Sequence, residues 1–209
     1  LTVKATSSDT DAFTATADGS AVVSNYDVVV QQTATAEKNR SAAFASTTAE
    51  MKSGTITITP NGEDAQTFTI AEGDTLVDVV DTINKGTGFT ASLINDGTSY
   101  YLALTSEETG HTIGGNASDA LAITVSQTGS NGSDLNLTET VTAQNAKLTV
   151  DGLAVESESN DAKGFVPGVT IHVKKATDAG ETEKLSLSVD KEETKEKVKA
   201  FVDAYNKVI

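Results

Sequence analysis

Apolar residues in this chain recur mostly at every second position, in short runs broken by Gly, Asp and Asn, and that period predicts strands. The segment up to about Phe44 reads as strand-like. Ala12 to Ala17 alternate small and β-branched side chains before an Asp18-Gly19 turn, and SNYDVVVQQ then sets Tyr26, Val28 and Val30 on one face. TATAEKNRSAAFAS loses the alternation and reads as a short helix or a loop. From Gly54, GTITITPNGEDAQTFTI predicts a hairpin turning at Pro60-Asn61-Gly62. In AEGDTLVDVVDTINKG the period changes. Leu76, Val79, Val80 and Ile83 form one helical face, Asp74 or Thr75 can cap it, and Gly86 stands where a left-handed stop is expected. FTASLINDGTSYYLALTS is a second hairpin with Asp96-Gly97 at its tip. Gly54 to about Ser106 is therefore expected to be a ββαββ unit whose helix covers one face of a small sheet. Residues 107–140, rich in Gly, Asn, Ser and Asp, read as loop, strand at 121–125, and loop.

Strands return from Ala146. KLTVDGLAVES predicts a hairpin at Asp151-Gly152, VPGVTIHVKK a strand opened by Pro167-Gly168, and EKLSLSVD a strand with Leu185, Leu187 and Val189 on one face. The expected fold class is mainly β (β-rich α+β). Two small β domains are expected, one inserted into the other: residues 1–47 with 141–190 as a discontinuous outer domain, and 48–140 as the insert. Residues 191–209 begin a C-terminal helix. Its start is well marked, with Asp190 at the N-cap and Glu193 in the capping-box position, four residues before Lys197. Val198, Phe201, Val202, Tyr205, Val208 and Ile209 share one stripe, opposite Lys195, Lys199, Asp203 and Asn206. No Gly or Pro closes this helix, so both chain ends read as cuts in a longer polypeptide. The stripe Val198, Phe201, Val202 and Tyr205 is the candidate self-association site; docking on the chain's own domain is the plainer reading.

Composition narrows the function classes. Only 37% of the 209 residues are hydrophobic and 5% aromatic, with no Trp, which suits light two-layer β structure better than a large catalytic domain. A net charge of −15 argues against nucleic acid and against an anionic membrane surface as partners. Without cysteine there is no disulfide or thiolate chemistry. No stretch approaches the length of a membrane span, and the first residues lack a signal-peptide pattern.

Residues that carry chemistry are sparse. His172 lies within a strand and shares its outer face with Thr170 and Lys174, so it reads as a solvent-facing residue. His111 follows Glu107 and Glu108, but Gly110 argues against a helix that would align them, and no second His is near. Asp9 and Asp11 lack the Gly and distal Glu of a calcium loop. Gly114-Gly115 lacks the Lys and spacing of a phosphate loop, and no Gly-x-Ser-x-Gly elbow occurs. Triplets of the Asn-x-Ser/Thr glycosylation-acceptor type begin at Asn39, Asn116, Asn131 and Asn136, as chance provides in a chain rich in Ser and Thr. No catalytic residue, cofactor or metal is expected, and the chain reads as non-enzymatic.

Four stretches in order resemble one family. They are YDVVVQQTATAEK; GTITIT with TFTIAEGDTLVDVVDTINKGTGFTASLINDGTSYYLALTSEETG; AKLTVDGLAVESESN with VPGVTIHVKK; and KEKVKAFVDAYNKVI. Together they resemble flagellar hook-associated protein 2, with Gln32-Thr33 standing where that family more usually has Leu-Ala. The second stretch resembles the hook-type motif that flagellins and other hook proteins share. The resemblance implies a structural protein that caps the bacterial flagellar filament. Its β domains form a ring-shaped plate, and the terminal helix starts a leg domain completed by coiled-coil segments. It implies a homo-oligomeric ring, flagellin and the filament tip as partners, adhesion to host surface receptors as an overlapping role, and export through the flagellar type III apparatus without a cleaved signal peptide. Another hook or flagellin-type protein would share the central motif. A surface adhesin of stacked β domains would not need the amphipathic helix. A glycan-degrading enzyme would need a close carboxylate pair that no stretch predicts.

Overall fold

The computed structural model describes residues 2–207, so Val208 and Ile209 of the expected stripe lie outside the described residues. In chain order the strands are β1 Thr2–Ser7, β2 Phe13–Ala17, β3 Ser24–Gln32, β4 Lys38–Arg40, β5 Gly54–Pro60, β6 Gln66–Ile70, β7 Phe89–Asn95, β8 Tyr100–Ser106, β9 Leu121–Gln127, β10 Thr138–Val141, β11 Ala146–Val150, β12 Leu153–Ser157, β13 Asp161–Lys163, β14 Val169–Val173 and β15 Glu183–Asp190. Two α-helices accompany them: α1 Leu76–Ile83 follows β6, and α2 Lys191–Asn206 follows β15. The protein is mainly β, and its strands pair antiparallel throughout these sheets.

The chain forms two compact units, one from the segments up to 33 and from 146 onward, the other from residues 34–145. The first holds a five-stranded sheet in the order β1-β15-β3-β11-β12 and a three-stranded sheet β13-β14-β2. Alternation decides which side chains go inward. Val28 and Val30 of β3, Leu148 of β11, Ile171 of β14 and Leu185 and Leu187 of β15 are buried, along with Phe13. The β11–β12 turn forms at Asp151-Gly152, with φ of +49° and +79°. Two successive left-handed residues give the turn whose twist matches the strands it joins.

The second unit departs from expectation in its pairing. The two central hairpins do not share one small sheet. β5 and β6 join β9 in the order β6-β5-β9, whereas β7 and β8 join β4 and β10 in the order β10-β4-β8-β7. The helix α1 turns Leu76, Val79, Val80 and Ile83 into a core with Ile56 and Ile58 from one sheet and Leu102 and Leu104 from the other. Residues 34–47 and 141–145, expected with the outer strands, pair inside this unit instead. β4 is held between β8 and β10, Thr35 bridges Gln144, and Phe44 bridges Tyr100. The segment KNR has no apolar alternation of its own, and its partners on both sides make it a strand. β10, which begins within the stretch expected to be loop, is made a strand by its sheet partner β4.

Thr75 caps α1. Its hydroxyl accepts from the Asp78 N–H, and the Asp78 carboxylate accepts from the Thr75 N–H at 2.9 Å, a reciprocal box. Gly86 is not the left-handed stop expected of it; Gly88 has φ +83° instead. Gly86 is there for space. A Cβ on it would stand 2.6 Å from the ring of Phe89 and 2.7 Å from the ring of Phe68, two side chains packed edge to face.

Candidate functional site

The candidate surface begins where β15 ends. Asp190, the last residue of that strand, is also the N-cap of α2, and its carboxylate accepts from the Glu193 N–H at 2.9 Å. Glu192 and Glu193 place negative charge in the first turn, where the helix dipole favours it. The polar face is laced by Glu193–Lys197 and Lys199–Asp203 pairs, each at 3.0 Å and four residues apart. Local signals therefore account for the helix, and Thr194 ties its first turn to β1 by accepting from the Thr2 N–H at 3.2 Å.

None of the described α2 residues is buried. Val198 is 58% exposed, Phe201 72%, Val202 46% and Tyr205 60%. The four residues sit together on one stripe, as the spacing predicts, and they face solvent rather than the chain's own sheets. The alternative of a terminal helix docked on its own domain is not what the structure shows for these residues. Isolated exposed apolar side chains are ordinary; here four lie together in one exposed stripe and make it the candidate surface.

The histidines are placed in structural roles. His172 lies on the outer face of β14, with Nδ1 2.7 Å from Asp161 Oδ1 on β13 and Nε2 3.2 Å from Thr16 Oγ1 on β2. It links three neighbouring strands. His111 Nδ1 lies 3.0 Å from the Thr112 carbonyl, and its N–H donates to Asn145 Oδ1 at 2.8 Å. Asp9 Oδ1 accepts from the Asp11 N–H at 2.8 Å in a turn. Among the described residues, no three His, Asp or Glu side chains are grouped as metal ligands would be.

One feature of the second unit escaped sequence reasoning. A trough of about 450 Å3 opens beside β9, floored by Ile123, Val125 and Leu137 and walled by Glu37, Asn39 and Glu139. Glu37 is only 3% exposed. Its carboxylate accepts from Asn39 Nδ2 at 2.8 Å and from the Leu121 N–H at 3.0 Å. Burial pushes its pKa up from the ordinary value, those two hydrogen bonds oppose the rise, and the charges of Glu139 and Asp119 add to it. No motif announces this site, because it exists only once β4 and β9 are brought together.

Residues 55–108 match the model of the flagellin hook IN motif, which places the chain in the class of hook-motif flagellar proteins. Residues 143–209 match the model of the flagellar hook-associated protein 2 C-terminus. The A-type flagellar hook-associated protein 2 of Pseudomonas aeruginosa is 33% identical over 228 residues, covering 98% of this chain and 47% of that protein. The crystal structure of the D1-D2-D3 domains of the flagellar cap protein FliD from Escherichia coli aligns with a TM-score of 0.84 at 28% identity, over 99% of this chain and 62% of that one. The crystal structure of FliD (HAP2) from Pseudomonas aeruginosa PAO1 aligns with a TM-score of 0.76 at 28% identity, over 95% and 93%. The chain belongs to the flagellar hook-associated protein 2 family. It spans about half the length of the first curated relatives it matches, 47% and 50%.

Proposed function

We propose that this chain is the plate-and-leg portion of a non-catalytic subunit that caps the tip of the bacterial flagellar filament. In this reading residues 191–209 begin the leg domain, and Val198, Phe201, Val202 and Tyr205 seat that leg against helices of the longer subunit or of neighbouring subunits. The assembled ring shelters emerging flagellin as it folds and adds to the filament. The subunit works outside the cell after export through the flagellar apparatus without a cleaved signal peptide. Its partners are further copies of itself, flagellin and the filament tip, with host surface receptors as an overlapping role.

The observation that carries the reading is the open apolar stripe on α2 in a chain of this family. Covering it would contribute on the order of 1.5–3 kcal/mol per large side chain as an upper bound. That is enough to bias assembly once the partner helices are present. Light scattering on this chain, and on a version extended through the flanking segments of the natural subunit, tests the idea. The 209-residue chain is expected to stay mostly monomeric in dilute solution, and the extended one to form closed oligomers. A stable ring formed by the shorter chain would overturn the role given to the helices.

A further inference from the structure

Among the described residues, strand β9 is an edge strand, paired in its sheet with β5 alone. At its first residue the Leu121 N–H turns away from β5 and donates to Glu37. Backbone groups of a strand alternate in direction, so the N–H and C=O groups of Ile123 and Val125 face the same way as those of Leu121, into the trough. They have no hydrogen-bond partner among the described residues. The core-side faces of Ile123 and Val125, with Leu137 opposite, make the trough floor apolar. Its walls are acidic. Asp134 is answered by Lys52 at 2.7 Å, but neither Glu37 nor Glu139 has a cationic partner among the described residues. An open backbone edge, an apolar floor and carboxylates without a cationic partner among the described residues therefore meet in one place.

We propose that this edge of β9 takes an extended, lysine- or arginine-bearing segment of another protein as an added strand. Main-chain hydrogen bonds to Ile123 and Val125 supply the attachment, and alternate side chains supply the selection. An apolar residue sits on Ile123, Val125 and Leu137, and the cationic one reaches Glu139 and the mouth of Glu37. A second copy of this chain fits less well, because its net charge of −15 opposes docking at an acidic trough. The inference rests on the second unit and does not depend on the function assigned to α2.

The test uses the whole chain and a synthetic peptide, acetyl-Thr-Val-Lys-Val-Lys-Val-Thr-amide, titrated to about 1 mM. Exchange of the Ile123 and Val125 amide protons is expected to slow by about tenfold or more on saturation. A peptide N-methylated at alternate backbone positions and one with Glu in place of Lys are each expected to bind at least about tenfold more weakly. Glu139→Lys in the protein should weaken the Lys peptide and tighten the Glu peptide, which also shows that the variant is folded. Three outcomes overturn the proposal. They are unchanged exchange at the β9 amides, equal binding of the N-methylated peptide, and protection that rises with protein concentration in the absence of peptide, which would identify a second copy as the occupant.

Discussion

Glu37 and Asp96 show how two carboxylates in one unit bind protons with opposite consequences for stability. Asp96 caps the β7–β8 turn. It accepts from the Thr98 N–H at 2.9 Å, the Thr98 hydroxyl at 2.8 Å, the Ser99 N–H at 2.8 Å and the Tyr101 hydroxyl at 2.9 Å. Those donors, led by the Thr98 N–H, hold its pKa well below the ordinary carboxylate range. Its contribution to folding is present above the unfolded value and is lost as pH falls through the folded one. Glu37 works the other way, because desolvation raises its pKa above the ordinary 4.5. The folded state then holds the proton more tightly than the unfolded state, so the favourable contribution is complete below the unfolded value and fades as pH rises through the folded one. Glu37→Gln removes that titration. Urea denaturation of the wild type and the variant should show the stability difference moving in favour of Gln as pH rises from about 4.5 towards neutrality. A constant or opposite difference would mean that the buried carboxylate is better solvated than its 3% exposure indicates.

Elements were legible in the sequence where their signal is local. α1 carries its own cap and apolar face, the Asp151-Gly152 hairpin its own turn, and α2 its cap, ion pairs and stripe. The short strands β4, β10 and β13 were not legible, since KNR, TETV and DAK have no alternating apolar set. The backbones of β4 and β10 are recruited by strands distant in sequence, and that of β13 by the next strand, β14. For the same reason the destination of each hairpin could not be read. β5–β6 and β7–β8 look alike as sequence, and the sheet each joins depends on β9 and on β4. Of the two candidate surfaces, the α2 stripe was readable from spacing, whereas the β9 trough required knowing which strand ends a sheet. The Pro167-Gly168 opening of β14 lies between these cases. The sequence marks a turn, and the structure adds that Gly168 has φ +71° and that a Cβ there would meet the Ala21 backbone nitrogen at 2.5 Å. Gly168→Ala therefore combines left-handed strain with a backbone clash, and a loss of about 1–3 kcal/mol is expected. Urea unfolding followed at the β14 amides measures it. A neutral result would show that the β2–β3 connection carrying Ala21 moves aside at no cost.

At the scale of the whole molecule, each of the two units has buried apolar residues of its own, and the stripe on α2 belongs to neither core. That separation makes the proposed division of labour testable without confounding it with folding. Phe201→Asp with Tyr205→Asp changes two side chains that are 72% and 60% exposed. Stability of the 209-residue chain is then expected to shift by no more than about 0.5 kcal/mol, as for other exposed positions. The acidic pair nonetheless adds charge to a stripe that must be desolvated when a partner helix covers it, which penalises association strongly. In the full-length subunit the double variant is therefore expected to lose closed oligomers and, in cells lacking the natural cap, to leave flagellin unpolymerised and swimming impaired. Phe201→Leu with Tyr205→Phe keeps the apolar surface and should restore both. Unimpaired swimming by the double Asp variant, with its β units folded, would remove the helix from the assembly interface. Failure of the apolar pair to rescue would show that the Tyr205 hydroxyl or the Phe201 ring itself, rather than burial of the stripe, is what the partner recognises.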